Sequence, residues 1–130
     1  MTIIQSKRNQ VANAYNHFQG NDKRVLCLCG AGLLRSATIA EVLIRAGGYN
    51  VRNAGCSQDY ALIPLSTALL HWADEIIVVE EQAALVKSSL HELEMNKPIH
   101  VLDIPDDYAR NDPDLIEIIK ESLIEKGFKV

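Results

Sequence analysis

The chain has 130 residues, 48% of them hydrophobic and 23% charged, which suits one soluble globular domain and excludes a disordered or low-complexity segment. Thirteen Lys and Arg against 17 Asp and Glu leave a net charge of −4, so no general field favours nucleic acid or anionic lipid, and any anion site must be local. Three cysteines without paired spacing argue against a disulfide framework, and no apolar run is long enough to cross a bilayer.

In chain order, residues 5–18 place Val11, Ala12, Ala14, Tyr15 and Phe18 at helical spacing before "GND" interrupts them, which predicts an N-terminal helical extension over 1–22. Residues 23–130 form the second unit. Val25 to Leu28 is a continuous apolar run, as a parallel strand covered on both faces requires, and it ends at Cys29. Ser36 to Ala46 reads as a mostly buried helix whose Glu41 and Arg45 sit one turn apart, with Gly47 and Gly48 as its stop.

A short strand follows at Val51 to Ala54, and then the loop "GCSQDYALIP". Leu65, Leu69 and Trp72 fall on one face of a short helix, and "EIIVV" at 75–79 is a second core strand. Ala83, Val86, Leu90 and Leu93 repeat at helical spacing in the next element. "IHVL" at 99–102 is another core strand, followed by the polar loop "DIPDDYARNDPD". The last helix opens with Asp112 as cap and Pro113 in its first position, and it stops at Gly127. Strands alternating with helices predict a three-layer α/β fold, an open parallel sheet of about four strands with helices on both faces. Ligands of such sheets bind at the carboxyl ends of the strands.

The segment "CGAGLLRS" lies at such an end. A strand, a glycine turn and a helix start bring the backbone N–H groups of Gly30, Ala31, Gly32, Leu33, Leu34 and Arg35 toward one point, and the helix adds its positive end. Gly30 and Gly32 can take positive φ and let the backbone approach a ligand. Arg35 offers a planar cationic fork for two phosphate oxygens, and no acidic partner stands near it in sequence. Cys29, at the mouth of this cradle, is expected as a thiolate, an in-line nucleophile toward phosphorus, with Ser36 donating a hydroxyl bond to the sulfur. The plainer alternative is a small buried cysteine before an ordinary glycine turn.

Phosphoryl transfer also needs an acid for the leaving oxygen. The clustered carboxylates or a loop histidine could serve. Asp106 and Asp107 are adjacent, so the neighbouring charge and partial burial could keep one of them protonated; the alternative is turn chemistry alone. His17, His71, His91 and His100 show no metal-ligand spacing, so neither a metal nor another cofactor is expected. Cys27 reads as core. Cys56 could be a resolving thiol for Cys29.

The stretch "VLCLCGAGLLRSATIAEVL" resembles the opening of low-molecular-weight protein tyrosine phosphatases, with Cys, five residues, Arg and Ser between an apolar strand and a helix. "VRNAGCS", "WADEIIVVEEQ" and "DIPDDYARNDPDLIEIIKESL" resemble later parts of that family in the same order, and Ile-Pro-Asp-Asp-Tyr is similar to the acid loop of a short microbial branch of predicted tyrosine phosphatases. The resemblance runs from about residue 24 to the end. It implies the phosphotyrosine protein phosphatase I-like fold and a phosphomonoester hydrolase acting through a cysteinyl-phosphate, with a phosphorylated protein or a small aryl phosphate as substrate; apart from the resemblance, the want of a spanning run and of a secretory start predicts a cytoplasmic location, and the charge balance predicts neither nucleic acid nor membrane as partner. No oligomeric state is implied.

By the same resemblance Cys29 is the nucleophile, Arg35 binds phosphate, Ser36 supports the thiolate and Asp106 is the general acid, with Asp107 as fallback and Tyr108 on the cleft wall. The chain departs from the family pattern where Gly32 replaces an Asn that braces the loop, which implies a looser cradle, and Leu34 replaces a second loop cysteine. Asn53 replaces a Ser, and Asp107 replaces the proline after the acid. Rival readings are a phosphocysteine carrier similar to enzyme IIB of sugar phosphotransferase systems, an arsenate reductase, which would want a further downstream cysteine pair, and a phosphoryl-binding module without turnover.

Overall fold

The structure, a computed structural model, describes residues 22–130 apart from 33, 58 and 60. The helix expected over residues 5–18 and the amide of Leu33 therefore lie outside the described residues. The order of elements is β1 (Lys23–Cys29), α1 (Arg35–Ala46), β2 (Tyr49–Gly55), α2 (Thr67–Trp72), β3 (Glu75–Val79), α3 (Glu80–Glu92), β4 (Ile99–Leu102) and α4 (Pro113–Glu125). All strand pairs are parallel and the sheet order is β2-β1-β3-β4.

Side-chain alternation divides the core in two. Val25 and Cys27 of β1 join Val51, Ile77 and Leu102 under Ile39 and Leu43 of α1 and Leu115, Ile119 and Leu123 of α4. Leu26 and Leu28 join Ile76 and Val78 on the other face, beneath Leu69 and Leu70 of α2 and Val86 and Leu90 of α3. A central strand covered on both faces must be apolar at successive positions, and Val25 through Leu28 are all fully buried.

The helix ends carry their caps. Ser66 Oγ accepts from the Leu69 amide at 3.3 Å, and Asp112 Oδ1 accepts from the Asp114 amide at 2.9 Å. Leu65 and Leu93 are differences from the sequence expectation: each packs in or against the core from just outside its helix, before Thr67 and at the cap after Glu92. Glu41 and Arg45 do pair along α1, at 3.5 Å. No helix among the described residues is long and apolar enough to cross a membrane.

The chain leaves β1 toward β2 on one side and later crosses to β3 on the other. Where neighbouring strands send their connections to opposite sides, a crevice opens at their carboxyl ends. Cys29 ends β1, Glu80 and Glu81 follow β3, and the 103–112 loop follows β4, so all three converge on that crevice.

Candidate active site

The loop after β1 is held from several directions. The Cys56 amide donates to the Cys29 carbonyl and the Ser57 amide to the Gly30 carbonyl, each at 2.8 Å, extending the β1–β2 ladder into the turn. Asn53 Nδ2 donates to the Gly32 carbonyl at 2.8 Å. Gly32 has φ +76°, and a Cβ there would meet the Ala54 carbonyl carbon at 2.8 Å. The position expected to weaken the cradle is thus one where an Asn would not fit, and the brace comes instead from β2. Gly55 is tighter still, since a Cβ on it would lie 2.5 Å from the Ala31 carbonyl carbon. Gly30, in contrast to the expectation, does not adopt positive φ.

At the centre of this turn the Cys29 sulfur accepts from the Gly32 amide at 3.2 Å and lies 3.2 Å from the Ser36 hydroxyl. Cys29 is 3% exposed and Ser36 fully buried, so the sulfur sits at the floor of the loop. Leu34 is exposed and precedes α1 without a side-chain cap of its own, while Thr38 Oγ1 donates back to the Leu34 carbonyl at 2.8 Å.

Arg35 begins α1 and is buried. It is not without an acidic partner: its Nη1 donates to Glu81 Oε2 at 2.6 Å and to the Ile104 carbonyl at 3.1 Å, and its Nε lies 3.4 Å from Asp106 Oδ1. Sequence distance concealed these partners, because Glu81 reaches Arg35 only through the β1–β3 pairing and Asp106 only through β4. Of the two adjacent carboxylates, Asp106 is the one that reaches the guanidinium. Both Asp106 and Asp107 are exposed, so the partial burial expected to keep one protonated is absent. Tyr108 is half-buried against the α1–α4 cluster.

The other cysteines are placed as core. Cys27 is fully buried and burial raises its thiol well above the usual range; Cys56 is pushed up to about 12, by burial first and by Cys29 second. Cys56 packs among Leu26, Leu28 and Leu65 on the α2–α3 face, whereas Cys29 shares strand parity with Cys27 on the opposite face. Among the described residues no cluster of His, Cys, Asp and Glu could hold a metal ion.

Missed by sequence reasoning were Glu81, the Ile104 carbonyl and Asn53 as a brace. The available signal for Glu81 was its position immediately beyond a core strand, at the sheet edge that also carries Cys29.

No family model matches the chain, and no curated protein matches it in sequence. Solved structures do match. The YwlE arginine phosphatase from Geobacillus stearothermophilus is 17% identical and superposes with a TM-score of 0.60, covering 80% of this chain and 92% of that one. A YwlE mutant from Bacillus subtilis is 16% identical with a TM-score of 0.55, over 80% of this chain and 90% of that one. The chain shares the fold of these phosphatases, the low-molecular-weight phosphatase fold that the motif resemblance implied.

Proposed function

We propose that the chain is a protein phosphatase that works through a cysteinyl-phosphate, with phosphotyrosine as its substrate side chain. One observation carries the reading: a sulfur that meets a loop amide and a hydroxyl at 3.2 Å shares its loop with a buried arginine whose Nε edge lies beside Asp106. Loop amides and the Arg35 fork hold the phosphoryl oxygens as charge spreads over them. The Cys29 sulfur gives its electron pair to phosphorus while the bond to the leaving oxygen breaks, and Asp106 supplies that oxygen with a proton. Water then attacks the phosphocysteine and passes its proton back to Asp106. Sulfur departs as a thiolate, eased by the Gly32 amide and the Ser36 hydroxyl.

The fold neighbour's name favours a second substrate, phosphoarginine, in which a P–N bond takes the place of P–O. A phosphotyrosyl and a phosphoarginyl peptide of the same sequence decide between them by kcat/KM. The chemistry itself is tested by p-nitrophenyl phosphate turnover: Cys29→Ser should lower it by ~10⁴-fold or more, as loss of a covalent nucleophile does. Asp106→Asn should lose ~10²-fold on phenyl phosphate and less on better leaving groups, with Asp107→Asn within about threefold of wild type. A Cys29→Ser protein that keeps turnover, or a wild type that holds a long-lived phosphocysteine without releasing phosphate, overturns the proposal; the latter result would identify a carrier.

A further inference from the structure

We propose that Glu81 is a positioning residue of the phosphate site, one that sets which edge of the Arg35 guanidinium faces the bound phosphoryl group. The inference rests on the phosphatase reading only in taking the cradle to bind a phosphoryl group.

A guanidinium carries five hydrogens in one plane and can offer a phosphate two parallel N–H groups along more than one edge. Nη1 has two of these hydrogens, and both are committed. One goes to the Ile104 carbonyl at 3.1 Å, the other to Glu81 Oε2 at 2.6 Å. The remaining pair of parallel donors is the Nε–Nη2 edge, the edge beside Asp106. A phosphoryl group taken on that edge has the acid next to its leaving oxygen. Taken on the Nη1–Nη2 edge, the other pair of parallel donors, it would have to break one of the bonds at 2.6 and 3.1 Å, whereas on the Nε–Nη2 edge it displaces only the 3.4 Å approach of Asp106.

The two anchors differ in kind. Ile104 is 1% exposed and its carbonyl is fixed by a core side chain, so this acceptor is part of the scaffold. Glu81 is half-exposed on the first turn of α3, and its hold on Arg35 depends on charge and geometry together. Exposed ion pairs contribute little, but this one has its cation 9% exposed, so the carboxylate also supplies the countercharge that a buried guanidinium requires. The start of α3 is close enough to do this because it abuts the loop: a Cβ on Gly30 would lie 3.6 Å from Gln82 Nε2.

The test measures affinity for inorganic phosphate by calorimetry on the full chain, beside the KM and kcat for p-nitrophenyl phosphate. Glu81→Ala should weaken phosphate by about tenfold and lower kcat/KM by more, because a charge-assisted anchor is lost and the fork is free to turn. Glu81→Gln, whose carbonyl still accepts from Nη1 but without the charge, should recover part of the loss. In an Arg35→Lys background, where a point charge has no edge to aim, Glu81→Ala should add little. Circular dichroism and melting temperature establish that each variant is folded, and the Gln variant carries the test if Ala is not.

Tighter phosphate binding in both Glu81 variants would overturn the proposal and make the carboxylate a competitor for the anion. Unchanged phosphate affinity in Glu81→Ala would overturn it as well, leaving only a surface ion pair. A wild type that binds phosphate but does not turn over aryl phosphate defeats the catalytic reading, while the affinities of the Glu81 variants still decide this one. A wild type that binds no phosphate defeats both.

Discussion

The two ends of the sheet use the same ingredients differently. At the amino end, Lys23 meets Glu75 at 2.5 Å, Glu75 meets His100 at 2.7 Å, Arg24 pairs with Asp74, and Lys97 Nζ donates to the carbonyls of Leu70, His71 and Ala73. These bonds join strand starts to each other and close the end of α2, where the last helical carbonyls would otherwise lack donors. At the carboxyl end a buried cation is held by one backbone carbonyl and two half- to two-thirds-exposed carboxylates, in the same loop as a sulfur that accepts from the Gly32 amide. The first arrangement is closed by the fold alone. The second anchors its cation through Nη1 and leaves the Nε edge beside an exposed acid, the arrangement that the proposed phosphate site uses.

The sharpest way to break the contrast is to displace the turn without touching a polar group. Gly55→Ala puts a methyl 2.5 Å from the Ala31 carbonyl carbon, a contact with backbone that a flexible side chain cannot relieve. It should cost about 2–4 kcal/mol in denaturant unfolding and remove most aryl phosphatase turnover, because the strand and loop must part. Gly127→Ala is the control. Nothing stands within 4 Å of its added Cβ, so its cost is the strain of φ +91° alone, about 1 kcal/mol with turnover kept.

The contrast also explains what was readable in the sequence. Strands 75–79 and 99–102 match β3 and β4 to the residue because both are continuous apolar runs bounded by polar turns. Cys29, Ser36 and Arg35 were legible because they share one strand–turn–helix unit, so their spacing in sequence is their spacing in space. Glu81 and Asn53 were not, since each reaches the turn from a neighbouring strand, and strand order is a tertiary property. The expected looseness at Gly32 failed for the same reason: the brace exists, but 21 residues away. Exposure of Asp107 and Asp106 is likewise set by how the 103–112 loop lies on the sheet edge, which local turn chemistry does not encode.

A second substitution works at the amino end. Lys97→Met keeps the length of the side chain and removes the three donations to Leu70, His71 and Ala73. Carbonyls at the end of α2 then lose a charged donor, at a cost of about 1–3 kcal/mol by denaturant unfolding. Turnover should stay near wild type, because α2 packs on the face opposite α1 and the lost bonds lie at the closed end of the sheet. A fall in turnover comparable to that of Gly55→Ala would mean that the two ends are coupled.

The mildest effect is expected from Glu75, and it appears in a pH series. Burial works against its charged form, but hydrogen bonds from Lys23 and His100 outweigh burial and hold the carboxyl below its usual range. A carboxyl depressed by folding contributes stability above its unfolded value, ~4.3, and loses that contribution as acid protonates it in the folded state. Melting temperature of the wild type should therefore fall more steeply than that of Glu75→Gln as pH drops below ~4.3, with the two curves converging in acid. Above that pH the Gln variant should be the less stable, by less than Lys97→Met, because Lys23 is half-exposed and returns to water when its partner loses charge. Parallel curves would show that the Lys23–Glu75–His100 chain stores no pH-dependent stability. The acid sensitivity of the fold would then have to come from elsewhere, first from Asp74, whose carboxyl the side chain and backbone N–H of Arg24 hold below its usual range.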